Sequence, residues 1–257
     1  MDRKARERWS PVARWGLRIA LLGALVTLYG VLLRRFDLID TPAAFALLCG
    51  GLSLAFLSLC LGIYAMVETW VRVVRGFRYA AAATALSLLV LGPPGATLVP
   101  GLAMPAIHDI STDLDDPPLF TVSLLDRPAW ANDLDPPKPG SAAAAAQRQF
   151  YPDIVPLVLD MQPEEGFEYA ARAARELGWQ VVASLEPPLP DAEGVIEAVA
   201  HTDIVRFADD VVIRIRPDNG RTRFDIRSVS RFGRSDLGRN AARIREVLDM
   251  IERFSGE

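Results

Sequence analysis

The 257-residue chain is 51% hydrophobic and has a net charge of -4, which argues against a nucleic-acid partner. Its two cysteines, Cys49 and Cys60, lie in one apolar run, so the polar half has neither a disulfide framework nor a thiolate metal site. Two histidines, His108 and His201, are too few for a His-rich zinc site, and P-loop, GxGxxG and GxSxG motifs are absent from the sequence, so we predict no metal and no cofactor.

Apolar residues crowd the first hundred positions and predict a membrane domain over residues 1–105. A helical crossing takes about 20 apolar residues, and three runs of suitable length predict spans at 16–33, 43–67 and 79–104. The third run contains Pro93-Pro94, which would kink or end a helix. A kinked crossing and a re-entrant segment therefore both remain open.

The distribution of Lys and Arg predicts the orientation of these spans. Basic residues precede the first span and lie between the second and third, whereas only Arg34 and Arg35 occupy the remaining loop. Because the basic side is usually cytoplasmic, we predict a multi-pass protein of a bacterial inner (plasma) membrane, with a cytoplasmic N-terminus and a periplasmic C-terminal domain. The expected partners are the lipid bilayer and a membrane or envelope protein, or a second copy of the chain.

Residues 106–150 are rich in Pro, Asp and Ala, which predicts an exit segment followed by a largely extended tether. Within it, the short run LFTVSLL (119–125) is expected either to add an edge strand or to lie against the folded part. The segment opens with "HDISTDLDDPP" (108–118). It does not fit a calcium loop, because Leu114 stands where glycine is needed and Phe120 where glutamate is needed. We hypothesise instead that its aspartates dock on arginines of the following domain, for example Asp113 on Arg231.

Residues 151–257 carry the periodicity of a folded α+β domain. Helical spacing at 162–177 and 235–254 encloses four strand-like runs at 179–185, 194–200, 210–216 and 222–231. This order predicts an antiparallel four-stranded sheet with two helices on one face, preceded by three transmembrane helices. Strand alternation places an arginine lattice with Asp225 and Glu197 on the open face.

The segment "RSVSRFGRSDLGRN" (227–240) joins the last strand to the last helix. It resembles the signature RSxSRxGxSDLGxNxxR of domain-of-unknown-function family 1499, and the resemblance covers roughly residues 107–253. The family has no activity that could be carried over, so the resemblance supports the domain boundary alone. The matching positions are Arg227, Ser228, Ser230, Arg231, Gly233, Ser235, Asp236, Leu237, Gly238, Asn240 and Arg243.

This segment has two interpretations. It forms a structural corner if Ser235 or Asp236 caps the helix, or an anion site if guanidiniums converge near the helix N-terminus. A serine nucleophile would need a base, and His201 is the only histidine of the folded domain; we predict no catalytic residue. The candidate ligand-binding residues are Arg214, Arg227, Ser228, Ser230, Arg231, Ser235, Asp236, Asn240 and Arg243.

These observations predict a membrane-anchored extracytoplasmic binding or interaction module. Its ligand would be an anion, a lipid headgroup or an envelope partner. One alternative is a hydrolase-like enzyme at the membrane surface that uses aspartates and arginines. Another is a structural subunit of a membrane complex.

Overall fold

The computed structural model describes residues 8–125, 127–188 and 192–256. It divides into two compact units, an N-terminal unit of residues 1–99 and a C-terminal unit of residues 100–257. Three of the basic residues used to predict orientation, Arg3, Lys4 and Arg6, lie outside the described residues.

The N-terminal unit is built from three helices, each long and apolar enough to cross a membrane. They are α1 (Pro11–Arg35), α2 (Thr41–Val71) and α3 (Phe77–Gly101). The Ser10 and Asp40 side chains accept hydrogen bonds from amides in the first turns of α1 and α2, which satisfies donors that a helix start leaves unpaired. Helix α3 continues through Pro93-Pro94 without a break, so this run forms one helix.

Helices α1 and α2 approach closely where small residues meet. A Cβ added to Gly51 would lie 2.2 Å from Thr27 Oγ1 and 3.0 Å from the Gly23 carbonyl oxygen. Nearby, the buried Ser58 hydroxyl donates a 2.8 Å hydrogen bond to the Gly16 carbonyl. Since helices in lipid associate through packing and hydrogen bonds, these contacts fix the α1–α2 pair.

We expect Gly51→Ala to destabilise this helix pair by about 1–3 kcal/mol, because the added methyl group has no room. The matched control is Gly50→Ala, since a Cβ at Gly50 meets nothing within 4 Å. Thermal unfolding of the full-length protein in detergent measures both variants. Equal midpoints for the two variants would contradict this account of the packing.

The C-terminal unit contains a six-stranded antiparallel sheet in the order β1-β6-β5-β4-β3, with β2 also paired to β6. The prediction of four strands was wrong, because β1 and β2 have only three residues each and are too short to show a period. The strands are β1 (Asp109–Ser111), β2 (Leu157–Leu159), β3 (Gln180–Leu185), β4 (Gly194–His201), β5 (Ala208–Asp218) and β6 (Arg221–Ser230).

Three helices accompany this sheet: α4 (Ala142–Phe150), α5 (Pro163–Glu176) and α6 (Arg239–Ser255). Apolar residues of α5 and α6 form the main core with inward-facing residues of the sheet. Phe224 and Ile226 of β6 belong to this core and are fully buried, as strand alternation predicts.

The segment expected to be an extended tether packs against the sheet. Phe120 and Leu134 form a second small core with Val212 and Val229, on the face opposite the helices. The buried Gln147 side chain on α4 exchanges two hydrogen bonds with the backbone of Ser111. We call the described residues between 109 and 134 the strap, because they cover the face that was expected to be open.

Candidate functional site

Strand β6 carries polar residues on both of its faces, and these faces separate the predicted site residues. Arg227 and Arg231, with Arg214 on the neighbouring strand, lie on the face that the strap covers. Ser228 and Ser230 lie on the opposite face, toward α6. The predicted residues therefore form two clusters rather than one site.

Arg227 is the centre of the strap cluster and is fully buried. Its guanidinium donates to both carboxylate oxygens of Asp109, at 2.9 and 2.7 Å, and to the carbonyls of Pro118 and Leu134. It also lies 5.4 Å from the centre of the Phe120 ring. The hydrogen-bond donors of the Arg227 guanidinium are therefore paired with acceptors of the protein itself.

Other aspartates of the strap also bind arginines of the sheet. Asp116 pairs with Arg214 at 3.1 Å and with Arg216 at 3.0 Å. Asp113 contacts Arg223 at 2.5 Å. The expected docking of strap aspartates on arginines is confirmed, but Asp113 pairs with Arg223 and, at 3.5 Å, with Arg216 instead of with Arg231.

Two pKa directions agree with this pairing. A hydrogen bond from Arg214 lowers the pKa of Asp116, outweighing its partial burial. Burial alone would lower the pKa of Arg214, but Asp225 and Asp116 raise it above the usual value. Both groups are therefore held in their charged forms.

Arg231 binds an aspartate of the sheet instead of an aspartate of the strap. Its guanidinium makes a forked contact with the fully buried Asp210, with distances of 2.7 to 3.0 Å. Arg127 of the strap lies 3.1 Å from the same carboxylate. One buried carboxylate thus faces two guanidiniums, both more than four-fifths buried.

The second cluster fixes the corner between β6 and α6. The Asp236 carboxylate accepts hydrogen bonds from the amides of Gly238 and Asn240, at 2.9 and 2.8 Å. Burial raises the pKa of Asp236, although these two amides oppose the shift. Gly238 has a φ of 84°, a left-handed conformation that glycine adopts without strain. The start of α6 is thus already occupied by a carboxylate of the chain.

Asn240 and Arg243 link this corner to the sheet. Arg243 donates to the Ser228 hydroxyl at 3.0 Å, to the Asn240 side-chain oxygen at 2.6 Å and to Asp209 at 2.6 Å. Asn240 donates to the His108 carbonyl and to the Ser230 hydroxyl. The Ser228 hydroxyl donates to the Asn240 side-chain oxygen at 2.8 Å, which is an amide and not a base.

Ser235 completes the corner, since its hydroxyl accepts a 3.3 Å hydrogen bond from the amide of Leu237. Every side chain of the candidate set therefore binds another part of the same unit. This arrangement favours the structural-corner interpretation of the segment at 227–240.

Residues 109–251, more than half of the chain, match the family described as "Protein of unknown function (DUF1499)". The chain belongs to this family. The matched region begins at β1 and ends in α6, so both clusters lie within the DUF1499 domain. Neither the curated proteins nor the solved structures contain a match to the chain. Across the described part of the chain, no group of three or more His, Cys, Asp or Glu side chains is placed to hold a metal ion.

A further feature of the DUF1499 domain was not anticipated. Glu197 of β4 was expected to join the arginine lattice, but its fully buried carboxylate accepts four hydrogen bonds from one strap segment. The donors are the amides of Thr121, Val122 and Ser123 and the Thr121 hydroxyl, at 2.6 to 3.1 Å. Burial alone would raise the pKa of Glu197, but these hydrogen bonds outweigh it and lower the pKa.

The segment that Glu197 holds is apolar and points partly into solvent. We call residues 119–125 (LFTVSLL) the apolar loop. Phe120 is buried, whereas the side chains of Leu119, Leu124 and Leu125 are 60%, 56% and 85% exposed. A buried charge thus fixes the backbone of a loop whose leucines face outward.

Proposed function

We propose that this protein is a membrane-anchored interaction module whose DUF1499 domain docks a partner protein of the cell envelope through the apolar loop. The observation that carries the proposal is the combination of three exposed leucines with a backbone fixed by Glu197. Contiguous exposed apolar residues are characteristic of interaction surfaces. A loop that is already ordered loses less conformational entropy on binding, which favours docking.

The arginine lattice supports an anionic ligand less well. Arg214, Arg227, Arg231 and Arg243 each have an aspartate partner within the domain. An anion would have to displace these carboxylates, and separating a buried ion pair leaves an uncompensated charge that costs about 3–5 kcal/mol. An apolar contact at the loop requires no such exchange.

The proposal includes a topology in which α1 begins in the cytoplasm and the DUF1499 domain lies in the periplasm. Its support is the larger number of arginines near the α2–α3 connection, at positions 72, 75 and 78, than near the α1–α2 connection, at 34 and 35. With three crossings, the two ends of the chain would lie on opposite sides of the membrane. The partner would accordingly be exposed to the periplasm.

Site-directed cross-linking in intact cells tests both parts of the proposal. Leu125→Cys is introduced into the full chain after Cys49→Ala and Cys60→Ala, which remove the two native cysteines. We expect a membrane-impermeant maleimide to label the new thiol from outside, and a benzophenone maleimide to give one discrete adduct with another envelope protein. Adding Leu124→Asp should weaken that adduct at least about tenfold, because a carboxylate at an apolar contact costs roughly 1.4 kcal/mol or more.

The matched control is Ile204→Cys in the same background, since Ile204 is also exposed, at 63%, but lies outside the loop. The control should take the label and give no such adduct. Identical adducts from both positions, an adduct between two copies of the chain, or insensitivity to Leu124→Asp would contradict the proposed docking. Labelling that requires permeabilised cells would contradict the topology.

A further inference from the structure

A cleft of about 700 Å³ lies in the N-terminal unit, at the end where α1 and α3 begin. Its apolar walls include Trp9, Leu17, Phe77 and Tyr79. Two arginines, at positions 75 and 78, also line the cleft. The cleft therefore combines an apolar interior with two cationic side chains at the end of membrane-length helices.

Backbone pairing gives this cleft a defined rim. The amide of Ser10 donates to the Arg75 carbonyl, and the amide of Arg75 donates to the Arg8 carbonyl, both at 2.9 Å. The rings of Trp9 and Tyr79 meet edge to face, with centroids 5.7 Å apart. The segment before α1 is thus held against the turn that leads into α3.

Among the described residues, no carboxylate compensates the charges of the cleft. Within the described ranges, neither Arg75 nor Arg78 has an acidic partner, and the cleft has no acidic side chain in its lining. The nearest acidic residue along the turn, Glu68, already binds the Ser10 hydroxyl and Arg72. This contrasts with the DUF1499 domain, where each arginine of the predicted set has an aspartate partner.

We propose that this cleft binds an anionic phospholipid, whose phosphate contacts Arg75 and Arg78 while an acyl chain lies along the apolar walls. Guanidinium groups match phosphate oxygens in geometry and charge. Trp and Tyr side chains favour the depth at which lipid headgroups lie. A zwitterionic lipid is disfavoured, because its ammonium group meets two guanidiniums and no carboxylate among the described lining residues.

Native mass spectrometry of the full-length protein, released from detergent, tests the site with phosphatidylglycerol and with phosphatidylcholine of the same acyl chains. We expect one phosphatidylglycerol to bind at least about tenfold more tightly than phosphatidylcholine. The variant Arg75→Gln/Arg78→Gln should bind phosphatidylglycerol about 30-fold more weakly, which corresponds to roughly 2 kcal/mol for two guanidiniums near a lipid surface. Its preference over phosphatidylcholine should disappear.

The matched control is Arg18→Gln/Arg72→Gln, which removes the same charge from the same unit but leaves the lining of the cleft unchanged. This control should retain phosphatidylglycerol affinity within about threefold, whereas a comparable loss would indicate general attraction to basic residues and overturn the proposal. A second variant, Ala82→Trp, fills the cleft while keeping both arginines. It should lose both lipids, and unchanged phosphatidylglycerol binding by a folded Ala82→Trp protein would also overturn the proposal.

Discussion

Replacement of Arg227 with methionine is expected to destabilise the DUF1499 domain by about 3–5 kcal/mol, the cost of breaking a buried ion pair by removing one partner. The guanidinium is fully buried, and its loss leaves Asp109 and two carbonyl oxygens without their donor. Hydrogen exchange of the full-length protein in detergent measures this loss. The slowest amides of β6 should exchange at least about a hundredfold faster.

Two comparisons decide whether the buried pair is responsible. Arg245→Met removes an arginine from the half-exposed pair with Asp153, and should cost less than about 1 kcal/mol. The double variant Arg227→Met/Asp109→Leu removes both buried charges and should be clearly more stable than Arg227→Met alone. If the double variant were the less stable of the two, the uncompensated aspartate would not be the cause.

Glu197→Gln is expected to release the apolar loop and to cost about 2–4 kcal/mol. The glutamine amide can replace only one of the two carboxylate oxygens that accept hydrogen bonds from Thr121, Val122 and Ser123. Exchange of these loop amides should rise far more than exchange of β5. The control Glu176→Gln, on the exposed surface of α5, should change stability by less than about 0.5 kcal/mol.

The same substitution should change the dependence of stability on pH. The pKa of Glu197 is lowered in the folded state, so the carboxylate stabilises the fold fully above its unfolded pKa of about 4.3, and this contribution is lost as pH falls through the folded pKa. Between about pH 6 and pH 3, the free energy of unfolding of Glu197→Gln should therefore decrease less than that of the unsubstituted protein. An unchanged pH profile would argue that other carboxylates produce the whole effect.

The parts of the fold that the sequence predicts well are long elements, in which the alternation of apolar and polar residues repeats many times. Strand β6 has ten residues and β5 eleven, and both alternate clearly enough to assign their faces. The three-residue strands β1 and β2 give no such signal, and pairing with β6 decides their structure. A prediction based on local periodicity therefore misses short strands that form only because they pair with the backbone of a longer strand.

The strap was misjudged for a related reason. Its overall composition is that of a tether, and Leu134 is isolated between two aspartates, so only the short apolar run around Phe120 indicates contact with the folded part. Their burial depends on Val212 and Val229, which lie on the arginine-rich face that was expected to be open. The role of Glu197 was equally hidden, because its partners are backbone groups 74 to 76 positions away. The helix cap at Asp236, by contrast, is local and could be predicted.

The pairing of β1 with β6 also bears on the order in which the domain can fold. Asp109 and Arg227 are separated by 118 positions, and Thr112 binds the amide of Ile226 from a similar distance. Contacts between such distant residues form late and slowly, because a long loop must close first. The first strand of the domain, β1, can therefore pair only after the last strand, β6, is present. Until synthesis reaches β6, Asp109 lacks Arg227 and Asp113 lacks Arg223, so we expect the strap of a chain that stops before β6 to be more sensitive to protease.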